Sequence, residues 1–375
     1  MRLKAFRALA KVAPFRSLDG LQTASAGAFV SSRLTEARMT GANPGALEMF
    51  SYVPPHLPAH APLVVMLHGC TQTAAGYDGG TGWSLLAEEL GFAVLAPQQV
   101  AANNPNLCFD WFDPSSTARD HGEVASIRGM IEQMLHTHGL DPARVYITGL
   151  SAGGAMTAAM LAAYPEMFAG GAIIAGLPAG SAASIPDAFR AMRHAPARTA
   201  REWGDLVREA SPNTGRWPAV TIWQGDADTT VDPHNGEALA MQWTNVHGLL
   251  PASATVTEGE NFRRRVWADA DGKAVVELVE VSGMGHGVPV GGVTVDAYGH
   301  AGPYFLDVAM SSTAAIARFW GFNVPAMTAA KAARKAKPKP SNAGVMSQAK
   351  AKGRMPGGVG AVIMKSLKSA GLIKH

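Results

Sequence analysis

The sequence predicts an α/β fold with a mostly parallel central sheet and helices on both of its faces. Three observations lead there. Short runs of consecutive apolar residues recur along the chain, the mark of strands buried on both sides. Helical patterns fall between several of these runs, as crossovers between parallel strands do. Three of the runs end directly in turns that carry a serine, two aspartates or a histidine among glycines.

Residues 46–53 come first and read as an edge strand. Residues 62–67 form an apolar run that ends in His68-Gly69, and similar runs follow at 92–96, 145–148, 171–175 and 219–223. Helical patterns cover 83–90, 123–138, 152–164 and 235–246. Residues 178–217 interrupt the alternation. They are rich in Ala, Pro and Arg, hold a helical stretch near 186–193, and read as an insertion over the sheet edge. Residues 262–268 and 274–281 flank the loop 269–273 and read as an antiparallel hairpin. After Trp320 the pattern stops.

Length and composition set the frame. The chain has 375 residues and 47% apolar content, ample for one large core. Charge is uneven. Arg2, Lys4, Arg7, Lys11 and Arg16 stand at the start with no acid among them, and residues 326–375 carry Lys or Arg repeatedly and again no acid. With a formal net charge of +3 overall, the middle is strongly acidic. The expected organisation is a basic N-terminal extension over 1–40, a catalytic domain over 41–325, and a basic, disordered tail over 326–375. Residues 1–16 also place Leu3, Phe6, Leu9 and Ala10 at helical spacing, so that segment reads either as a short basic amphipathic helix or as a frayed terminus. No stretch approaches the roughly 20 apolar residues of a membrane span. The N-terminus lacks the uninterrupted apolar run of a secretory signal, which points to the cytoplasm.

The chemistry concentrates in three places. Gly149-Leu150-Ser151-Ala152-Gly153 has the form G-x-S-x-G. In a chain this glycine-rich, roughly 0.2–0.3 such matches arise by chance. The context is what makes it informative: a strand before it and a small-residue helix after it, the setting of a nucleophile elbow. Ser151 is the candidate nucleophile. A serine needs a base and the base an orienting carboxylate. Asp226 and Asp228, just after the run 219–223, both qualify by position at the carboxyl end of a strand. His286, in Gly283-Met284-Gly285-His286-Gly287 after the last long strand, is the candidate base. His300 is the fallback, and His121 falls too early in the chain. Ser, then Asp, then His is the chain order of α/β-hydrolases.

These residues carry a resemblance. Leu67-His68-Gly69-Cys70-Thr71-Gln72, the elbow with Ala155-Met156, Gly225–Val231 and Gly285-His286 together resemble the poly(3-hydroxybutyrate) depolymerase family of esterases, which includes feruloyl- and acetylxylan-esterase-like members. The resemblance runs over roughly residues 45–322. Cys108-Phe109-Asp110-Trp111-Phe112 is similar to the family's Cys-Trp-x-Trp-Phe segment, with Phe109 in place of one aromatic. It implies an α/β-hydrolase fold, Ser151 as nucleophile, Asp228 as acid and His286 as base. It also implies an oxyanion donor from the loop after residues 62–67. Cys70 N–H is the candidate there, with Ala152 N–H, next after the nucleophile, as the second. A Cys70–Cys108 bridge is likewise implied; such a bridge needs an oxidising compartment, so a disulfide and two free thiols both stand open.

The expected activity is hydrolysis of short-chain hydroxyalkanoate esters or polyester oligomers through an acyl-enzyme, with no metal and no organic cofactor. A feruloyl or acetylxylan esterase is the alternative. Trp111, Phe112 and Gln72 are the candidate substrate-binding residues, with Trp83 and Tyr298 behind them. Residues 331–354 read either as a solubilising tail or as a contact to an anionic surface such as a storage granule. Few aromatics accompany those charges, so no specific nucleic acid is expected. A non-catalytic granule- or nucleic-acid-binding protein is the remote alternative. Secretion by a non-standard route is the alternative to the cytoplasm, as the family is often extracellular.

Overall fold

The computed structural model describes residues 32–291 and 298–324. Its strands are β1 (Thr35–Ala37), β2 (Glu48–Tyr52), β3 (Leu63–Leu67), β4 (Ala93–Gln98), β5 (Val145–Leu150), β6 (Gly170–Ile174), β7 (Ala219–Gly225), β8 (Thr255–Glu258), β9 (Phe262–Ala268), β10 (Ala274–Val281), β11 (Val288–Val290) and β12 (Phe305–Asp307). Its helices are α1 (Ala74–Thr81), α2 (Trp83–Leu90), α3 (Pro114–Thr117), α4 (Gly122–His138), α5 (Ala152–Ala163), α6 (Ile185–Arg193), α7 (Ala200–Glu209), α8 (His234–Val246) and α9 (Ser312–Phe319).

One ten-stranded sheet runs in the order β1-β2-β4-β3-β5-β6-β7-β10-β9-β8. The stretch from β4 to β10 is parallel throughout. The flanks β1–β2 and β9–β8 pair antiparallel to their neighbours and to each other. β11 and β12 form a separate parallel pair.

β3 shows why the central strands read as unbroken apolar runs. Leu63, Val65 and Leu67 join one core with Ile127 and Met130 of α4, Met156 of α5 and Trp243 of α8. Val64 and Met66 point to the other face and join Trp83 and Leu86 of α2 and Ile316 of α9. A strand with period-two side chains and a core on each face has no polar position to spare.

The segment 178–217, read as an insertion, runs from β6 to β7. β6 and β7 are neighbours in the middle of the sheet, so the chain between them must cross the interior of one face. That crossover carries α6 and α7, and α7 packs on α8 and α5. Among the described residues no helix is long and apolar enough to cross a membrane. The basic segments read at both ends, apart from residues 32–40, lie outside the described residues.

The topology also locates the site. From β3 the chain moves to one side to form β4, then returns to the other side of β3 to form β5. The crevice outside the carboxyl ends of β3 and β5 is thus a topological switch point, where open α/β sheets bind ligands.

Candidate active site

Ser151 sits between β5 and α5 with φ 57° and ψ −117°, a conformation disfavoured for any residue with a Cβ. Holding it costs on the order of 1–3 kcal/mol, and the surroundings enforce it. Its N–H donates to Ile174 O at 2.9 Å, which ties the turn to the end of β6. A Cβ on Gly149 would lie 2.3 Å from Gly153 O, and one on Gly153 would lie 2.4 Å from Leu67 O. Both glycines are therefore close-approach positions: without them α5 could not start against β3.

Asp228 follows β7 and is fully enclosed. Its Oδ1 accepts Thr230 N–H at 2.8 Å and Val231 N–H at 3.0 Å. Its Oδ2 accepts Gln224 Nε2 at 3.2 Å and His286 Nδ1 at 2.7 Å. With Nδ1–H engaged by the carboxylate, Nε2 is the ring nitrogen left to take a proton. Asp226, the other acid that the residues left open, does something else. Its Oδ1 accepts Gly283 N–H at 2.6 Å, and its own N–H donates to Val281 O at 3.1 Å, so it laces the β7 loop to the loop that carries His286. His121 lies just before α4, with Nδ1 2.9 Å from Arg119 O. His300 is held by its N–H to Gly80 O at 3.0 Å.

Ser151 and His286 line one small pocket together with Gly69, Cys70, Gln72, Leu150 and Tyr304. Ser151 and His286 are not hydrogen-bonded to each other here; such contacts commonly tighten only when substrate is bound. Neither Cys70 N–H nor Ala152 N–H has an acceptor among the described residues; Cys70 lines the pocket, and Ala152 is the first residue of α5, next after Ser151. Gln72 turns its Oε1 onto Gly69 N–H at 2.8 Å and so braces this loop while lining the pocket. Cys70 and Cys108 are joined in a disulfide, which ties the β3–α1 loop to the segment before α3.

The structure does not bring Trp111 or Phe112 to this pocket. Trp111 packs beside Ala155, Leu177, Ala191 and Val231 and lines a separate groove along α5, with Phe112 edge-on to it at 5.7 Å. Trp83 and Tyr298 are core residues rather than groove residues: both are buried, and Trp83 stacks on Trp320. Tyr304 is the pocket residue that sequence reasoning missed. It comes from the loop before β12, has φ 65°, and sets its ring edge-on to His286 at 6.4 Å. No periodicity or motif marks it.

This chain resembles a solved acetyl xylan esterase from Aspergillus awamori with a TM-score of 0.66 and 25% identity, over 77% of this chain and 99% of that one. Among proteins of known sequence it is 45% identical to poly(3-hydroxyalkanoate) depolymerase C of Paucimonas lemoignei, over 77% of this chain and 70% of that protein. It is 34% identical to an acetylxylan esterase of Coprinopsis cinerea, over 71% of this chain and 72% of that protein. Fold and relatives together define a hydrolase of ester bonds with the α/β-hydrolase fold. Residues 47–266 match the family model described as esterase PHB depolymerase, and the chain belongs to that family.

Proposed function

We propose that this esterase hydrolyses short-chain hydroxyalkanoate esters or polyester oligomers through an acyl-enzyme on Ser151. The observation that carries the site reading is the buried pair of Asp228 Oδ2 and His286 Nδ1, 2.7 Å apart, at the pocket that Ser151 lines. His286, oriented by Asp228, takes the Ser151 proton as Oγ attacks the ester carbonyl. The carbonyl oxygen, now negative, accepts from Cys70 N–H and Ala152 N–H, worth several kcal/mol in such sites. The alcohol leaves with the proton from His286, and water repeats the sequence on the acyl-enzyme.

The choice of acyl group rests on the 45% identical depolymerase relative. A carbohydrate esterase is the second reading, favoured by the match to the acetyl xylan esterase over nearly all of that chain. The test is a panel of hydroxybutyrate oligomers, methyl ferulate and acetylated xylan, run on wild type and Ser151→Ala. The expected result is fastest turnover of the oligomers, and loss of all activity in the variant. A variant as active as wild type ends the Ser151 assignment, and preferential turnover of ferulate or acetylxylan replaces the substrate class.

The Cys70–Cys108 disulfide supports an oxidising compartment, and so the secreted alternative, over the cytoplasm. Alkylation of the native protein before any reduction, read by mass spectrometry, is expected to label neither thiol. Two labelled cysteines would return the enzyme to the cytoplasm.

A further inference from the structure

A second cavity lies on the crossover between β6 and β7 and shares no residue with the pocket of Ser151. It measures about 690 Å³ and is lined by the start of that crossover, by α6 and by the loop from α6 to α7. Its charge stands out. The domain is strongly acidic, yet this cavity sets Arg190, Arg193 and Arg198 against one acid, Asp187. Asp187 is already engaged: it accepts from Ser184 Oγ at 2.6 Å and pairs with Arg190. Arg193 makes no ion pair among the described residues. Arg198 lies over the Trp203 ring at 5.2 Å, and Glu202, the acid that faces it, accepts Thr199 N–H at 2.7 Å and Thr199 Oγ1 at 2.9 Å. Two lining guanidiniums thus keep donors for an anion.

A buried group on the same wall points to a ligand as well. Ser181 lines the cavity, is 6% exposed, and its Oγ has no hydrogen-bond partner among the described residues. Buried hydroxyls are ordinarily paired, because an unpaired one has given up water for nothing. The wall that carries it is held in place. Gln242 of α8, fully buried, accepts Ala179 N–H at 3.0 Å and donates from Nε2 to Ala179 O at 3.0 Å. Ser181 N–H donates to Pro178 O at 3.1 Å. Much of the remaining lining is small and apolar: Ala182, Ala191, Ala195 and Pro196.

Cations, a hydroxyl and a short apolar wall suit an anion that has a carbon body and a hydroxyl of its own, rather than a bare inorganic anion. We propose that this cavity binds a short-chain hydroxyalkanoate carboxylate, the hydroxy acid that hydrolysis at Ser151 releases. Its carboxylate meets Arg193 and Arg198, its hydroxyl meets Ser181 Oγ, and its alkyl part lies against the alanines. Met192 O accepts Asp232 N–H at 2.8 Å, and Ala191 O accepts Asn235 Nδ2 at 2.9 Å. The end of α6 is thereby fastened to the loop that begins at Asp228, so the acid is held beside the active site rather than in it.

The choice of ligand rests on the hydroxyalkanoate reading, which the ester panel tests by itself; a binding experiment tests the cavity. Ligand-observed NMR titration with 3-hydroxybutyrate is run on wild type, on enzyme phosphorylated at Ser151 by diethyl p-nitrophenyl phosphate, and on Arg193→Gln/Arg198→Gln. Blocking Ser151 is expected to leave Kd within about twofold, whereas the double variant is expected to weaken binding about tenfold or more, the worth of one charge-assisted hydrogen bond. Methyl 3-hydroxybutyrate lacks the charge; titrated on the blocked enzyme, which cannot hydrolyse it, it is expected to bind as poorly as the acid does to the double variant. Butyrate, which lacks the hydroxyl, is expected to bind about threefold more weakly than 3-hydroxybutyrate, and Ser181→Ala to erase that difference. Both arginines are exposed, so the double variant should fold and turn over p-nitrophenyl butyrate within about twofold of wild type. The proposal is overturned by absence of binding, by binding that vanishes when Ser151 is blocked, by a double variant that binds like wild type, or by inorganic phosphate that binds as tightly as 3-hydroxybutyrate. An enzyme that prefers ferulate or acetylated xylan in the panel yet passes these binding tests refutes the substrate reading alone. One that prefers the oligomers yet fails them refutes the cavity alone.

Discussion

At the scale of single residues, the two aspartates of the β7 loop show how little separates a candidate catalytic position from one that only ties two loops together. Asp226 and Asp228 are two positions apart at the end of the same strand, and the residues alone allow either as the acid. In the structure Asp228 faces His286 and is satisfied on both oxygens, whereas Asp226 accepts a backbone N–H from Gly283. Substituting Asn at each separates the roles. Asp228→Asn replaces an acceptor with a donor opposite Nδ1–H and favours the wrong tautomer of His286. A loss on the order of 10³–10⁴-fold in kcat is expected by analogy with other triads. Asp226→Asn keeps an oxygen for Gly283 N–H and should stay within about tenfold of wild type. Steady-state kinetics on a p-nitrophenyl ester checks both, and a larger loss at position 226 would exchange the assignments.

At the scale of elements, what the sequence shows depends on how completely an element is buried and on what it follows. β3, β5 and β7 are legible because both of their faces are enclosed and most of their side chains are apolar or small, Gln224 at the end of β7 being a buried polar exception. Ser151 and Asp228 are legible for the same reason, since they follow β5 and β7, and His286 is legible from its glycine-flanked loop after β10. α1 is not legible: its sequence AAGYDGGT is poor in helix formers, and it is held by the Thr73 cap and by burial of Tyr77 against Phe305. α7 was legible in principle. Thr199 and Glu202 form a reciprocal capping box, and Trp203 and Val207 are buried one turn apart, but the Ala- and Arg-rich surroundings hid that signal. The three-residue strands β11 and β12 pair only with each other in the sheet, and no sequence pattern of that length is distinctive. Tyr304 enters the pocket from the turn before β12, which is why it went unseen while Ser151, Asp228 and His286 did not. For residues 178–217 the sequence shows that the alternation is interrupted, but not between which neighbours in the sheet this happens.

At the scale of the whole molecule, the buried carboxyl of Glu123 links the site's framework to stability. Burial, reinforced by the nearby Asp110 carboxylate, pushes its pKa up to about 8 from an ordinary value of 4.5. Between these two values the unfolded chain has released this proton while the folded protein still holds it. The unfolded state then binds fewer protons, so stability falls as pH rises through that window and levels off above the folded pKa. Across pH 5 to 8 this one group contributes at most about 4 kcal/mol of lost stability, at roughly 1.4 kcal/mol per pH unit. Glu123→Gln removes the titration. It also turns an amide toward one of the two donors that Glu123 accepts, Gln99 Nε2 or Asp110 N–H, and so lowers stability by a roughly constant amount at every pH. The expected outcome is therefore a variant less stable than wild type near pH 5 whose deficit shrinks or reverses by pH 8. Urea unfolding of both proteins across that range measures it directly. Parallel curves for the two would mean that Glu123 is ionised in the folded enzyme throughout. The hydrogen-bonded chain from Glu123 of α4 through Gln99 Nε2 to the Cys108 carbonyl would then be held by a buried charge rather than by a neutral acid.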